Sequence, residues 1–359
     1  MERALAEAEP AALTTFLGGS RRGTLVPVRD HLPTGKLEPG LLRELLRSQA
    51  PLPAEVRLGP ALGEDACAID VPGGTLVAAT DPITLTGSGV GSHAVVINAN
   101  DVAVMGVRPR WFLAAVLLPV GTGEREVREI FASTRTALED VGATLVGGHT
   151  EVTDAVVRPV IVGQMLGLAE DGRVVRTGGA EPGDTVVQVG SAPVEGAAVL
   201  AAEAPERLAG LDDTLRRRAG DALRDPGISV VEPALLAAAM GARALHDPTE
   251  GGLATGLHEL ADASQLKILL DGAPVLWFEP GIAVCEALAA DPWGTLASGT
   301  LLGTFPAERA DAVCRDLTAR GMPARAIGTA VPGSGVECGD GRPLPRFDRD
   351  EVARVLANS

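Results

Sequence analysis

The chain has 359 residues, 46% of them hydrophobic and 22% charged, which is ordinary for a core-forming protein and long enough for two domains. Net charge is −16, from 47 Asp and Glu against 31 Lys and Arg, and so acidic a balance argues against nucleic acid or an anionic membrane as partner. It still admits a small phosphorylated ligand, which needs only a local nest of donors.

Residues 1–54 read as a mixed arm, with a Gly-rich stretch at 16–23, a turn at Thr34-Gly35 and a short helix over 39–47. From 55 to 168 strand and helix patterns alternate. Strands are expected over 74–80, 110–118, 143–146 and 158–167, and helices over 92–105 and 124–141, the latter ending at Gly142. A turn-rich boundary at 178–184 opens a second unit with a strand over 185–189. Helices at 194–204, 212–222, 232–244 and 253–263 follow, with strands at 267–270 and 299–305. Runs of both kinds in each half predict α+β or α/β domains. The organisation expected is an arm to residue 54, a first domain over 55–168 and a second over 169–345.

Cys67, Cys285, Cys314 and Cys338 form no Cys-x-x-Cys pair, so neither a zinc site nor a disulfide framework is expected. Reduced thiols, no signal-peptide pattern and no apolar run of membrane-spanning length lead to the expectation of a cytoplasmic protein. Lysine occurs only as Lys36 and Lys267, and tyrosine is absent, which reads as a compositional bias toward Arg and Ala.

Common catalytic motifs fail. Gly35-Lys36 is followed by Leu37, so it is no Walker loop, and Gly87-Ser88-Gly89-Val90-Gly91 is not the dinucleotide fingerprint. No Gly-x-Ser-x-Gly elbow or His-Glu-x-x-His occurs. What stands out is three blocks that set carboxylates among small or apolar residues: Gly63-Glu64-Asp65, Thr80-Asp81-Pro82, and residues 98–106. In the third, Asn98 and Asp101 share a helix face. Ionised carboxylates in such company are costly unless a cation or donors compensate them. A divalent metal is the economical explanation, and for oxygen-only ligands that means Mg²⁺ with a nucleotide phosphate.

Two Gly turns also carry acids. Gly147-Gly148-His149-Thr150-Glu151 is expected as a turn offering backbone N–H groups to a phosphate, or as a tight turn that merely needs positive φ. His246-Asp247-Pro248-Thr249-Glu250-Gly251-Gly252 leads into a helix, where Asp247 suits a ligand and a cap equally. The N–H groups of Gly251 and Gly252 are expected to point toward a transferred phosphoryl group.

In order, Gly63-Glu64-Asp65-Ala66, Thr80-Asp81-Pro82, Asn100-Asp101-Val102-Ala103-x-Met105-Gly106-x-x-Pro109, Gly147-Gly148-His149-Thr150-Glu151 and Asp247-Pro248-Thr249-x-Gly251-Gly252-Leu253 resemble the aminoimidazole ribonucleotide (AIR) synthetase superfamily. The resemblance runs from about residue 36 to about residue 335. It implies a two-domain α+β, PurM-like chain whose first domains pair in a homodimer around a shared β-barrel. It implies ATP and Mg²⁺ as cofactors in the groove there. Residue by residue, it implies Asp65, Asp81 and Asp101 at the metal and phosphates, with Asn98 beside them. Gly147, Gly148, His149 and Thr150 would lie near the phosphates, and Asp247 and Thr249 at the transferred group. Lys36 would close over the phosphates.

Within the superfamily, the Asp247–Leu253 block is most similar to the hydrogenase-maturation carbamoyl dehydratases, although the chain ends Leu356-Ala357-Asn358-Ser359 without their terminal cysteine. Residues 16–36 lack the Cys or selenocysteine of selenophosphate synthetases, and residues 297–302 lack the acids of thiamine-monophosphate kinases. The function implied is ATP-dependent activation of an amide or carboxylate oxygen of a small molecule. A plain kinase and a non-catalytic nucleotide-binding scaffold are the alternatives. Arg108, Arg110 and Arg158 read more readily as surface or dimer ion pairs than as substrate ligands.

Overall fold

The structure, a computed structural model, describes residues 37, 39–84, 89–271 and 275–357, all within one compact unit. Lys36, the Gly-rich stretch at 16–23, the Thr34-Gly35 turn and Gly87-Ser88 lie outside the described residues.

After the short helix α1 (Pro39–Arg47), the first half builds one sheet from six strands. They are β1 (Val56–Leu58), β2 (Cys67–Val71), β3 (Gly74–Ile83), β4 (Trp111–Pro119), β5 (Thr144–Thr153) and β6 (Val160–Ala169), in the order β1-β2-β3-β6-β4-β5. Alternation decides the two faces. Val77, Ala79, Phe112, Val116, Ile161 and Met165 are buried, whereas Leu113, Leu117, Val162 and Leu166 on the other face are only half-buried. Helices α2 (Val90–Val104) and α3 (Glu124–Val141) cover the buried face. In α3, Ile130, Ala137, Leu138 and Val141 form one apolar stripe, and Gly142 closes the helix at φ 73°. The two helices approach closely at Gly91, where an added Cβ would lie 2.4 Å from the Ile130 carbonyl oxygen.

Two sequence readings change here. The residues expected as a turn at 146–151 lie inside β5, paired in parallel with β4. The strand expected over 74–80 runs on to Ile83, so Asp81 and Pro82 are strand residues. In both cases the hydrogen-bonded neighbour strand overrides the local Gly or Pro signal.

The second half builds another six-stranded sheet, from β7 (Thr185–Val189), β8 (Ala244–His246), β9 (Leu266–Leu270), β10 (Leu301–Phe305), β11 (Ala324–Pro332) and β12 (Gly335–Glu337). Its order is β12-β9-β11-β7-β10-β8. The helices are α4 (Glu195–Glu203), α5 (Asp213–Gly220), α6 (Val231–Ala239), α7 (Gly252–Ser264), α8 (Glu279–Leu288), α9 (Ala307–Ala319) and α10 (Glu351–Leu356). The helix expected over 232–244 stops at Ala239, and its last predicted residue already begins β8.

One apolar cluster lies between this sheet and α7, with Val186, Leu253, Leu257, Ile268 and Leu302. A larger one crosses between the halves and joins Val102 and Met105 to Leu245, Ala234 and Phe305. This explains α2, which is apolar nearly all round: thirteen of its fifteen residues are buried, against the first sheet on one side and α6 on the other. Asn100, fully buried there, donates from Nδ2 to Ile228 O at 2.9 Å and accepts at Oδ1 from Val230 N at 2.9 Å. The halves are therefore joined by paired polar groups as well as by apolar burial.

Candidate active site

Asp81 sits on the helix-facing side of β3, in step with Val77 and Ala79. Asn98 of α2 holds its backbone. The Asp81 N–H donates to Asn98 Oδ1 at 2.9 Å, and Asn98 Nδ2 donates to Asp81 O at 3.3 Å and to Ala94 O at 2.9 Å. Asn98 is thus a backbone clamp for an acid, committed through both ends of its amide. Gly163 stands opposite Asp81 on β6, and a Cβ there would lie 2.4 Å from Asn98 Nδ2. Asp101, one turn further along α2, is 6% exposed.

Asp65 precedes β2, yet its carboxylate is held by the second half. Oδ2 accepts from Thr177 Oγ1 at 3.4 Å and lies 2.9 Å from His246 Nδ1. The other ring nitrogen, Nε2, lies 2.9 Å from Glu259 Oε2 on α7. A ring with a carboxylate oxygen 2.9 Å from each nitrogen can donate to both only as an imidazolium. Burial pulls the His246 imidazole down, but the charges and hydrogen bonds of Asp65 and Glu259 carry it well above its ordinary range. The Glu64 side chain is also covered, 3.5 Å from Arg176; burial raises its carboxyl against the opposing Arg176 charge, and the Asp65 charge adds to the rise.

Asp247 follows His246 at the end of β8 and is 2% exposed. Its Oδ2 has no hydrogen-bond partner among the described residues. Burial pushes its carboxyl well above the carboxylate range, and the charges of Asp65 and Asp81 push the same way against His246. Asp247 therefore feels the charges of Asp65 and Asp81, which come from two other segments of the chain.

The turn that follows is closed on itself. Gly251 and Gly252 have φ 80° and 68°, and a Cβ on Gly252 would lie 2.4 Å from Trp293 O. The Gly251 N–H donates to Asp350 Oδ2 at 2.7 Å, and the Gly252 N–H to Thr249 O at 3.0 Å. The two N–H groups expected to face a phosphoryl group are already used within the protein.

Gly147, Gly148, His149 and Thr150 are not brought to this cluster within one chain. Asp81 is opposite Gly163, Gly163 opposite Ala114, and Ala114 opposite Gly148. Gly148 is thus three strand spacings from Asp81, about 14 Å. The β5 edge it belongs to is exposed on both faces, including Leu145, Val146 and Val152.

Among the described residues, no three His, Cys, Asp or Glu side chains make a ready metal cage. What the described residues offer instead is an orphaned buried carboxylate oxygen, on Asp247, under the charges of two further acids. It fits an ion that takes one or two carboxylates and completes its shell with phosphate oxygens and water. Sequence reasoning missed His246, Glu259 and Glu64 as members of this cluster. The only signal for His246 was a polar residue ending the apolar run Ala244-Leu245, since its partners lie 181 positions before it and 13 after.

Residues 63–169 match the N-terminal domain, and residues 181–340 the C-terminal domain, of the AIR synthase related proteins. The carbamoyl dehydratase HypE of Cupriavidus necator is 31% identical over 282 residues, spanning 75% of this chain and 77% of that protein. The chain belongs to the AIR synthase family. Members with known structures share its two-sheet fold. The E. coli hydrogenase maturation protein HypE is similar with a TM-score of 0.69 and 25% identity, covering 81% of this chain and 93% of that one. A HypE structure in complex with ATP is similar with a TM-score of 0.61 and 27% identity, covering 82% and 92%.

Proposed function

We propose that this chain is an ATP- and Mg²⁺-dependent enzyme that phosphorylates the oxygen of a small amide or carboxylate and so turns it into a leaving group. Dehydration, cyclisation or amidation then becomes possible. The observation that carries the reading is the buried Asp247 oxygen that has no hydrogen-bond partner among the described residues, on a carboxyl that the charges of Asp65 and Asp81 both reach. The relative named a carbamoyl dehydratase and the related structure with ATP support the same chemistry.

Asp65, Asp81 and Asp101 would hold the metal, which when bound neutralises phosphate charge. The protein's own work is placement. Asn98 holds the Asp81 backbone, and His246 and Thr177 hold Asp65. Asp247, buried beside them, serves as a second ligand or orients the acceptor oxygen, with Thr249 next to it. Lys36 is proposed to close over the phosphates. The half-covered face of the first sheet and the exposed β5 edge favour a homodimer, which would give Gly147, Gly148, His149 and Thr150 a place near the phosphates at the subunit interface. Light scattering at micromolar concentration tests this. A dimer that Val146→Asp dissociates is expected, and a monomeric wild type counts against it.

Phosphorus NMR of turnover with candidate amides tests the reaction. Free phosphate together with ADP is expected. A stable phosphoester would make the chain a kinase, and no ATP consumption would make it a scaffold.

A further inference from the structure

His246 lies outside every residue given a role by the motifs, yet it is held by a carboxylate at each ring nitrogen. It is 2% exposed, and both ring nitrogens stand 2.9 Å from carboxylate oxygens. Its two partners come from opposite halves of the chain: Asp65 from the segment between β1 and β2, Glu259 from α7. The same two elements touch again at Gly63, where φ is +77° and an added Cβ would lie 3.4 Å from Glu259 O. The Gly-Glu-Asp turn is therefore seated on α7, and the imidazole fills the gap between them.

Among the described residues, both hydrogen-bonding contacts to the Asp65 carboxylate, from His246 and from Thr177, end on Oδ2. One oxygen is thus committed to the protein, which leaves Oδ1 for a cation. A planar ring held at both ends fixes the carboxylate's rotation as well as its position, because Glu259 stops the ring from turning away. Rotation of an unheld Asp65 would cost entropy each time a cation bound.

We propose that His246 is the positioning residue of this site: it orients Asp65 from the second half of the chain so that a divalent cation meets a preset carboxylate. This rests on the proposed Mg²⁺-nucleotide reading and extends it to a residue that never touches the cation. Partners that orient a metal ligand typically carry 10–100-fold in metal affinity. The geometry also makes a selective demand. An Asn side chain places its amide nitrogen near the site of Nδ1, on the Asp65 side, whereas a Gln side chain reaches the Nε2 side, toward Glu259.

The experiment titrates Mg²⁺ into the full chain with a non-hydrolysable ATP analogue, followed by calorimetry, with melting temperatures recorded in parallel. His246→Ala and His246→Gln are expected to raise the Mg²⁺ half-saturation by about 10–100-fold. His246→Asn, which keeps a donor for Asp65, is expected to stay near wild type. If His246→Ala does not fold, the Asn and Gln variants decide alone, since each preserves one of the two contacts. Lowered melting temperatures with unchanged Mg²⁺ half-saturation would reduce His246 to a structural bridge and overturn the proposal. A wild type that binds the nucleotide without any Mg²⁺ dependence would overturn the metal reading beneath it as well, and so separates the two failures.

Discussion

Asp350 accepts the backbone N–H of Gly251 at 2.7 Å across 99 positions of sequence, and its other oxygen accepts from Val352 N at 2.7 Å. One carboxylate thus caps α10 and pins the turn that leads from Asp247 into α7. Burial raises its pKa to about 7 from an ordinary 3.8; the Glu250 charge adds to the rise, and the N–H donors of Gly251 and Val352 oppose it. A folded-state value above the unfolded one means that the stability contributed is full below pH 4 and is lost as pH rises through 7. This group alone should remove up to about 4 kcal/mol between those limits. Thermal unfolding from pH 4 to 9 should show that slope in the wild type and a flatter profile in Asp350→Asn. Parallel profiles would show that Asp350 does not titrate there.

Asn100 is the polar joint between the halves. Asn100→Ala would leave Ile228 O and Val230 N buried without their partner. Each orphaned group costs roughly 1–3 kcal/mol, so a loss of about 2–6 kcal/mol in denaturant unfolding is expected. A change below roughly 0.5 kcal/mol, the scatter of surface substitutions, would mean that water replaces the side chain.

Gly163 has no Cβ because the Asn98 amide occupies that space. Gly163→Ala should push Asn98 away from Asp81, cost roughly 1–3 kcal/mol in stability and weaken Mg²⁺-dependent nucleotide binding. Calorimetry that finds nucleotide affinity intact in a folded Gly163→Ala protein would separate Asn98 from the site.

The roles proposed for the acids differ in a way kinetics can resolve. Asp101→Ala should abolish the metal-dependent part of nucleotide binding with the fold intact. Asp247→Asn keeps size but removes charge, and should lower turnover by ~10²-fold or more with little change in nucleotide affinity. Unchanged turnover would demote Asp247 to a residue that shapes the turn.

Legibility in the sequence followed the range of the interactions. Helix α3 was legible over its full length because its apolar stripe, acidic first turn and closing Gly142 are all local. Strand β7 was legible as a bounded β-branched run. Strand β5 was not, because Gly147-Gly148 reads as a turn and only pairing with β4 makes it extended. The acids of the site were conspicuous because each stands among small or apolar residues. Glu259 was not, since an acid on a helix usually faces water.

By itself the sequence determined the family and the α+β alternation and set out the candidate acids, since these depend on residue type, spacing and order. Tertiary structure alone decided which of those acids meet. Asp65 and His246 are 181 positions apart, and nothing local to either announces the other. Folding set an imidazolium between carboxylates from two halves and closed the Gly251 and Gly252 N–H groups on Asp350 and Thr249. It also left β5 an exposed edge three strands from Asp81. The physical reason is that burial turns charge into a short-range constraint: a buried carboxylate must find a donor or a cation, and which one it finds depends on what the fold packs against it.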